Sequence, residues 1–349
     1  MEFYYRSFPN HIYFGAGSFH KLRDITKDYK KLFVIAGSHT TAEQLGVIQS
    51  LGIDRYYHFS EVVQHVPTRL VEEAFEALEK QSFDAIIAIG GGSAIGLAKA
   101  LVLKQSLPIV AVPTTFSGSE QTNIWGISNE EGKTTGRDDR VLPEVVIYDP
   151  EMTATMPKEL AVMSTMNAMA HLMEAVYAPD GNPLTRNLAF LGIAHLKKGL
   201  QLIADTGEFT AEANEEILLG AYLAGKCLCE VAMSLHHKTA HVLGGSFGME
   251  HSAVHTVMQS YVLRYQWLYL PEAIQNDFIS VLGNDPAKML KSLAEAGGAK
   301  TNLLAIGFKE ENIEKAAEVI FAKPYKNIAP ITKAGLVEML TNAFHGKIE

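Results

Sequence analysis

Five of the 13 histidines in this 349-residue chain fall between residues 236 and 255: His236, His237, His241, His251 and His255. Imidazole exchanges a proton near neutral pH and also serves as a hydrogen-bond donor or a metal ligand. His237 and His241 are four positions apart, so on a helix they share a face, and Asn167 and His171 are related in the same way. A lone helical histidine is more often structural or solvated. A cluster with paired spacing favours a site that moves protons or steadies a developing negative charge.

A second group has phosphate-binding chemistry. The segment from Ile89 through Gly90, Gly91, Gly92 and Ser93 to Gly96 and Lys99 follows an apolar run and opens a helical pattern. Small residues let a backbone approach a pyrophosphate, and the free N–H groups of a helix start attract its charge. The usual dinucleotide spacing fails, because Ile95 stands where a glycine is required and Gly96 comes one residue late. No acidic ribose ligand follows about 20 residues on, where Ile109 to Val112 sit. A tight turn without a ligand is the plainer reading, although three consecutive glycines cost more chain entropy than a turn needs. The loop Pro113–Glu120 adds Thr114, Thr115, Ser117 and Ser119 after the next apolar run. Two such loops after adjacent strands strengthen the nucleotide reading.

The elements that must position these groups differ between the two halves. Leu32–Ala36, Ala85–Ile89, Ile109–Val112 and Val145–Tyr148 read as buried strands, and residues 68–81 as an amphipathic helix with Thr68 as cap. Strands alternating with helices imply an α/β domain with a mostly parallel sheet, assigned to residues 1–155. Beyond Asp149-Pro150 the pattern is helical at 159–178, 186–204, 211–245, 272–282, 286–297, 309–321 and 333–345, with no convincing strand. Residues 156–349 are therefore expected to form an all-helical substrate domain. A ligand is expected where an α/β half meets a helical half.

Composition narrows the classes. A net charge of −9 provides no basic excess for nucleic acid, but does not prevent a locally positive pocket for a small anion. The N-terminus lacks a signal-peptide pattern, and the most apolar window, residues 85–103, holds four glycines and Lys99, so no membrane partner is expected. Cys227 and Cys229, two apart on a predicted helix, suggest neither a disulfide nor a zinc site and fit a cytoplasmic setting.

Taken together, GGGS-x-x-G-x-x-K, the PTT-x-S-G-SE loop and x-H-x-x-x-H with a later histidine resemble the iron-containing alcohol dehydrogenases of the dehydroquinate synthase-like superfamily. The resemblance implies metal-ligand positions at Asn167, His171, His237 and His251, with His241 in the place of the catalytic histidine. Asn167 stands where the metal enzymes have Asp, which removes an anionic ligand and counts against a tightly bound Fe²⁺. Three histidines, His171, His237 and His251, could still hold zinc. The same asparagine is a feature of the maleylacetate reductases, which the chain resembles nearly end to end. The matching strings are FGAG at 14–17, LPEVVIYD at 142–149, MNAMAH at 166–171, NP at 182–183, MSLHHK at 233–238, HVLGG at 241–245 and Pro324-Tyr325. Glu250 and Ser252-Ala253-Val254 depart from that group's pattern of Pro and Ala-Glu-Thr.

That resemblance implies a homodimeric enzyme of aromatic-compound catabolism that reduces a small dicarboxylate with NADH or NADPH and needs no essential metal. His241 is the expected proton donor, with Asn167, His171, His237 and His251 as the polar wall. Lys238 and Arg137 are candidates to meet carboxylates, or are solvated surface charges. Gly37-Ser38 close the first strand where NAD-specific relatives often carry Asp, so a 2′-phosphate should be tolerated, and Lys133 is expected near the phosphates. The rival readings are a metal-dependent alcohol dehydrogenase with another small substrate, a lyase of the dehydroquinate synthase kind, and a non-catalytic nucleotide-binding protein.

Overall fold

The structure, a computed structural model, describes residues 2–37, 42–51, 55–130, 132–322 and 325–348, and the side chains of residues 42–45 and 133 lie outside that description. Two compact units divide the chain, one of Ser7–Thr155 and one of Met156–Glu349 together with Met1–Arg6.

In the first unit, eight strands, β1 (His11–Phe14), β2 (Leu32–Ala36), β3 (Tyr56–Phe59), β4 (Ala85–Gly90), β5 (Ile109–Pro113), β6 (Ile124–Asn129), β7 (Gly132–Arg137) and β8 (Val145–Tyr148), accompany five helices. The helices are α1 (Leu22–Ile25), α2 (Ala42–Ser50), α3 (Thr68–Glu79), α4 (Gly92–Lys104) and α5 (Pro150–Thr153). Six strands form a parallel sheet in the order β1-β8-β5-β4-β2-β3. The inner strands β2, β5 and β8 are buried at every residue, and β4 at all but its last. This is why they read as unbroken apolar runs: a sheet covered on both faces has no polar side to alternate with. The edge strands β1 and β3, HIYF and YYHF, are only partly buried and carry no such run, so sequence patterning missed them.

From β2 the chain steps outward to β3, then returns through α3 to β4 on the other side of β2. Strand order therefore reverses between β2 and β4, the kind of crevice where open α/β sheets bind ligands at their carboxyl ends. Ala36 pairs with Ile89, so Gly37 and Gly90 follow at one level. The antiparallel hairpin β6–β7, also unread in the sequence, is fastened to the segment before α3 by Ser128 N–H to Val66 O at 3.1 Å. Thr68 begins α3 rather than capping it from outside; its hydroxyl donates to Ser128 O.

Nine helices make up the described part of the second unit: α6 (Lys158–Tyr177), α7 (Pro183–Thr206), α8 (Ala211–Glu230), α9 (Leu235–Phe247), α10 (His251–Trp267), α11 (Glu272–Leu282), α12 (Pro286–Ala296), α13 (Ile313–Ala322) and α14 (Lys333–His345). Asn182 caps α7 by accepting from Leu184 N–H and Thr185 N–H, with Pro183 in the first turn. Gly199 on α7 and Gly220 on α8 face Ile217 and Leu196 so closely that a Cβ on either would collide. No single described helix is long and apolar enough to cross a membrane, and both cysteines are free and buried.

Two expectations are corrected here. Residues 211–245 are not one helix: α8 ends at Glu230, and α9 leaves it at 96°. No proline or glycine marks the break. Carboxylates from elsewhere capture the N–H groups, Asp180 that of Ala232 and Glu174 those of Ser234 and His236. Residues 251–267, left out of the predicted helices, form α10, capped by Glu250 through Ser252 N–H and Ala253 N–H. Glu250, one of the departures from the resembled pattern, thus serves as an N-cap.

Candidate active site

Three helices of the second unit carry the histidine cluster. Asn167 and His171 lie on α6, His236, His237 and His241 on α9, and His251 and His255 on α10. The rings of His171 and His237 stack with centroids 4.9 Å apart, and His241 stacks on His251 at 6.0 Å. His255 lies between, 4.9 Å from His237, 4.9 Å from His236 and 4.4 Å from His251. His171, His236, His237 and His255 are buried, whereas His241 and His251 are exposed. The cluster thus runs from a solvent-facing pair into the protein interior, and it gathers all five residues expected to line a substrate wall or donate a proton.

Hydrogen bonds order the inner part. His236 Nε2 lies 2.8 Å from His255 Nδ1, and His255 Nε2 lies 3.1 Å from His251 Nε2. In each pair one nitrogen donates and the other accepts, so the tautomer of His255 fixes those of both neighbours. Glu174 on α6 accepts the N–H groups of Ser234 at 2.9 Å and His236 at 2.7 Å, and its Oε2 lies 2.7 Å from His237 Nδ1. Burial, reinforced by neighbouring imidazoles, holds His171, His237 and His255 well below the usual histidine range and His236 down to about 3. Burial pushes the Glu174 carboxyl up, against the pull of His236 and of three backbone N–H groups.

Three buried polar atoms here have no partner: Asn167 Oδ1, His171 Nδ1 and His237 Nε2. Unpaired buried atoms cost about 1–3 kcal/mol each, so three of them on neighbouring residues make this the candidate ligand site. The donor set does not fit the family's iron. Among the described residues no three His, Cys, Asp or Glu side chains are grouped as a metal requires. His251 Nε2 is engaged by His255, and Asn167 offers an amide in place of a carboxylate.

The first unit holds the glycine and hydroxyl loops. Gly90 has φ 151°, a backbone that side chains rarely adopt, and Gly91 is the N-cap of α4 with no side-chain cap bond, leaving the helix's first N–H groups available. Gly91 and Gly92 also face the second loop: a Cβ on Gly91 would lie 2.9 Å from Thr115 Oγ1, and one on Gly92 3.4 Å from Ser117 Oγ. Ser93 sits in the first turn of α4, Thr114 N–H donates to Gly90 O at 3.1 Å, and Ser119 N–H reaches Ser117 Oγ at 3.5 Å. The late glycine, Gly96, lets α4 pack on Val66. Gly37 follows β2 beside Val62, while Ser38, the Lys133 side chain and Pro324 lie outside the described residues.

Lys99, part of the glycine-loop pattern, proves to be a clamp. Fully buried, its ammonium donates to Ser119 O at 2.6 Å, Thr122 O at 2.7 Å, Thr122 Oγ1 at 3.0 Å and Ile124 O at 2.9 Å, fastening the end of the second loop. Arg137 is exposed in the first unit and donates to Asn123 Oδ1 at 3.1 Å. In the second unit, Lys238 Nζ lies 6.0 Å from the ring centre of Tyr325. Glu174 and the pairing of His236 with His255 were missed in the sequence. Asn167, His171 and Glu174 stand at i, i+4 and i+7, a one-face spacing that would have found the carboxylate.

The description "Iron-containing alcohol dehydrogenase" matches residues 9–150, and "Fe-containing alcohol dehydrogenase family, C-terminal" matches residues 161–344. The maleylacetate reductase of Sphingobium indicum is 40% identical over 99% of this chain and 98% of its own length. The crystal structure of maleylacetate reductase from Agrobacterium tumefaciens superposes with a TM-score of 0.95 at 32% identity, covering 99% of both chains. That of the enzyme from Rhizobium sp. strain MTP-10005 gives 0.95 at 33% identity, covering 100% of both. With both halves matched and relatives of this identity aligned end to end, the chain belongs to the iron-containing alcohol dehydrogenase family, beside its maleylacetate reductases, and is an oxidoreductase.

Proposed function

We propose that this enzyme reduces maleylacetate to 3-oxoadipate with NADH or NADPH, as a homodimer in the cytoplasm, in the breakdown of aromatic compounds. The observation that carries the reading is the convergence of Asn167, His171 and His237, each with an unpartnered buried atom, beside the exposed pair His241 and His251. The 40% identity to a maleylacetate reductase supports the substrate.

In this reading the α/β unit carries the coenzyme. Gly90, Gly91, Gly92 and Ser93 receive the pyrophosphate at the start of α4, with Thr114, Thr115, Ser117 and Ser119 beside them; Lys133 is assigned to the phosphates on the resemblance alone. Gly37 and Ser38 leave the ribose edge without a carboxylate, so a 2′-phosphate meets no repulsion there.

The substrate is an enone dicarboxylate held by the helical unit. Hydride from the reduced nicotinamide adds to the carbon β to the ketone, the double-bond electrons move onto oxygen as an enolate, and oxidised nicotinamide is left. A proton then adds to the α-carbon and restores the ketone, so one hydride and one proton are consumed. His241, exposed and adjoining His251, delivers that proton; Asn167, His171, His237 and His251 line the substrate, and Lys238 faces a carboxylate. Histidines that steady the enolate by hydrogen bonding and supply a proton make a metal polarising the ketone less necessary than in an alcohol dehydrogenase.

The test is loss of reduced-nicotinamide absorbance with freshly generated maleylacetate, on protein stripped with a chelator. Rapid turnover is expected. Turnover only after Fe²⁺ or Zn²⁺ is returned would overturn the metal-independent mechanism. No turnover in either state, with oxidation of a small alcohol in its place, would favour the metal-dependent alcohol dehydrogenase reading.

A further inference from the structure

Glu174 has no part in the mechanism above, yet it is a fully buried carboxylate in contact with the site. It does the work of a helix cap. Ser234 stands at the N-cap of α9 but makes no side-chain cap bond; its hydroxyl is within 2.7 Å of Lys326 O and of Asn327 Oδ1. Glu174 supplies the missing acceptor from α6, taking Ser234 N–H on Oε2 and His236 N–H on Oε1, with His237 N–H at 3.4 Å. An oxygen that already accepts backbone N–H groups is an acceptor toward the imidazole too, so His237 Nδ1 is the nitrogen carrying hydrogen. In the neutral ring the other nitrogen, Nε2, is then a bare lone pair. It is the buried atom without a partner, on a ring stacked against His171.

We propose that Glu174 is a positioning residue that locks His237 in the Nδ1–H tautomer and so makes its Nε2 an obligatory acceptor in the substrate wall. The ligand group meeting His237 is therefore a donor, a bound water or an enol hydroxyl, and the substrate carboxylates bind elsewhere. Carboxylate–imidazole pairs of this kind set ring orientation and tautomer in metal sites, where loss of the outer partner costs about 10- to 100-fold in metal affinity or activity.

Nitrogen-15 NMR of the full-length protein at neutral pH tests this without substrate. Wild type is expected to show a protonated Nδ1 and a bare Nε2 for His237, assigned by the signals lost in His237→Asn. A protonated Nε2 in wild type would overturn the proposal whether or not any variant folds. Glu174→Leu leaves no acceptor facing Nδ1, so the preference for the Nδ1–H tautomer should be lost and a protonated Nε2 should appear. An unchanged tautomer in a folded Glu174→Leu protein would also overturn the proposal, since a carboxylate that only caps α9 would leave the ring as it was. The kinetic arm rests on the proposed function: kcat with maleylacetate should fall about 10- to 100-fold, with KM for NADH unchanged. If wild type does not turn over maleylacetate, the substrate assignment fails while the tautomer result stands.

Discussion

His236 Nε2 and His255 Nδ1 lie 2.8 Å apart in the helical unit, both rings buried. The pair is stable only while the two share one proton, because two imidazolium ions at this distance would repel each other in a medium that screens poorly.

Acid should therefore destabilise this protein earlier than carboxylate protonation alone would. The folded-state values of His171, His236, His237 and His255 are depressed, that of His236 to about 3. Between the ordinary histidine value, about 6.5, and the folded value the unfolded chain binds the extra protons. The stability contribution is present above pH ~6.5 and is lost as the pH falls, by about 1 kcal/mol per pH unit for each such histidine. Thermal midpoints taken from pH 7 down to 5 should show the decline, and His255→Gln, which removes one titrating ring, should flatten it. A flat wild-type profile would contradict the assigned burial.

Lys99→Met should destabilise the α/β unit by about 3–5 kcal/mol, as expected when one member of a buried charged network is removed. Four acceptors around the ammonium lose their donor, and Glu120, buried beside Tyr148, loses the nearby positive charge that offsets its burial. Urea denaturation measures the loss. Because Lys99 fastens Ser119 and Thr122, residual folded protein should also bind NADH more weakly.

The two loops that meet at Gly91 offer a sharper separation. Gly91→Ala places a methyl 2.9 Å from Thr115 Oγ1, so one loop must give way; a strain of 1–2 kcal/mol corresponds to roughly a tenfold rise in the NADH dissociation constant. Gly46→Ala in α2 is the matched control. A Cβ there meets nothing within 4 Å, and a helical glycine costs about 0.5–1 kcal/mol relative to alanine. It should raise the thermal midpoint without altering NADH binding by fluorescence titration.

How much of this was readable in the sequence depended on whether a feature was local. β2, β4, β5 and β8 could be read because burial on both faces leaves no polar residue in them. The partly buried strands could not, and β7, with the sequence GKTTGR, carries no apolar residue to betray it. In the site, helical spacing exposed the pairs Asn167/His171 and His237/His241. The break between α8 and α9 was invisible because its cause, Asp180 and Glu174, lies more than fifty residues back along the chain. Lys99 shows the same limit from the other side. Its place in a glycine-loop pattern suggested phosphate chemistry, whereas its partners, 20 to 25 residues later, make it a structural clamp.

Asn167 provides the last test, because it is the ligand position at which the chain departs from the metal-dependent members of its family. Its Oδ1 is buried and unpartnered beside His171, one turn along α6. An amide oxygen is a weak ligand, and a carboxylate there adds a full negative charge close to imidazoles that are already kept neutral by burial. Asn167→Asp should therefore raise Zn²⁺ or Fe²⁺ affinity by tenfold or more, about 1.4 kcal/mol, a modest gain for one added charge–charge contact in a buried site. Metal content after equilibrium dialysis measures this directly. In the proposed mechanism the same substitution should lower maleylacetate turnover, because the new carboxylate repels the enolate that the wall must accommodate. If Asn167→Asp instead takes up no more metal than wild type and keeps full activity, Asn167 does not belong to the wall.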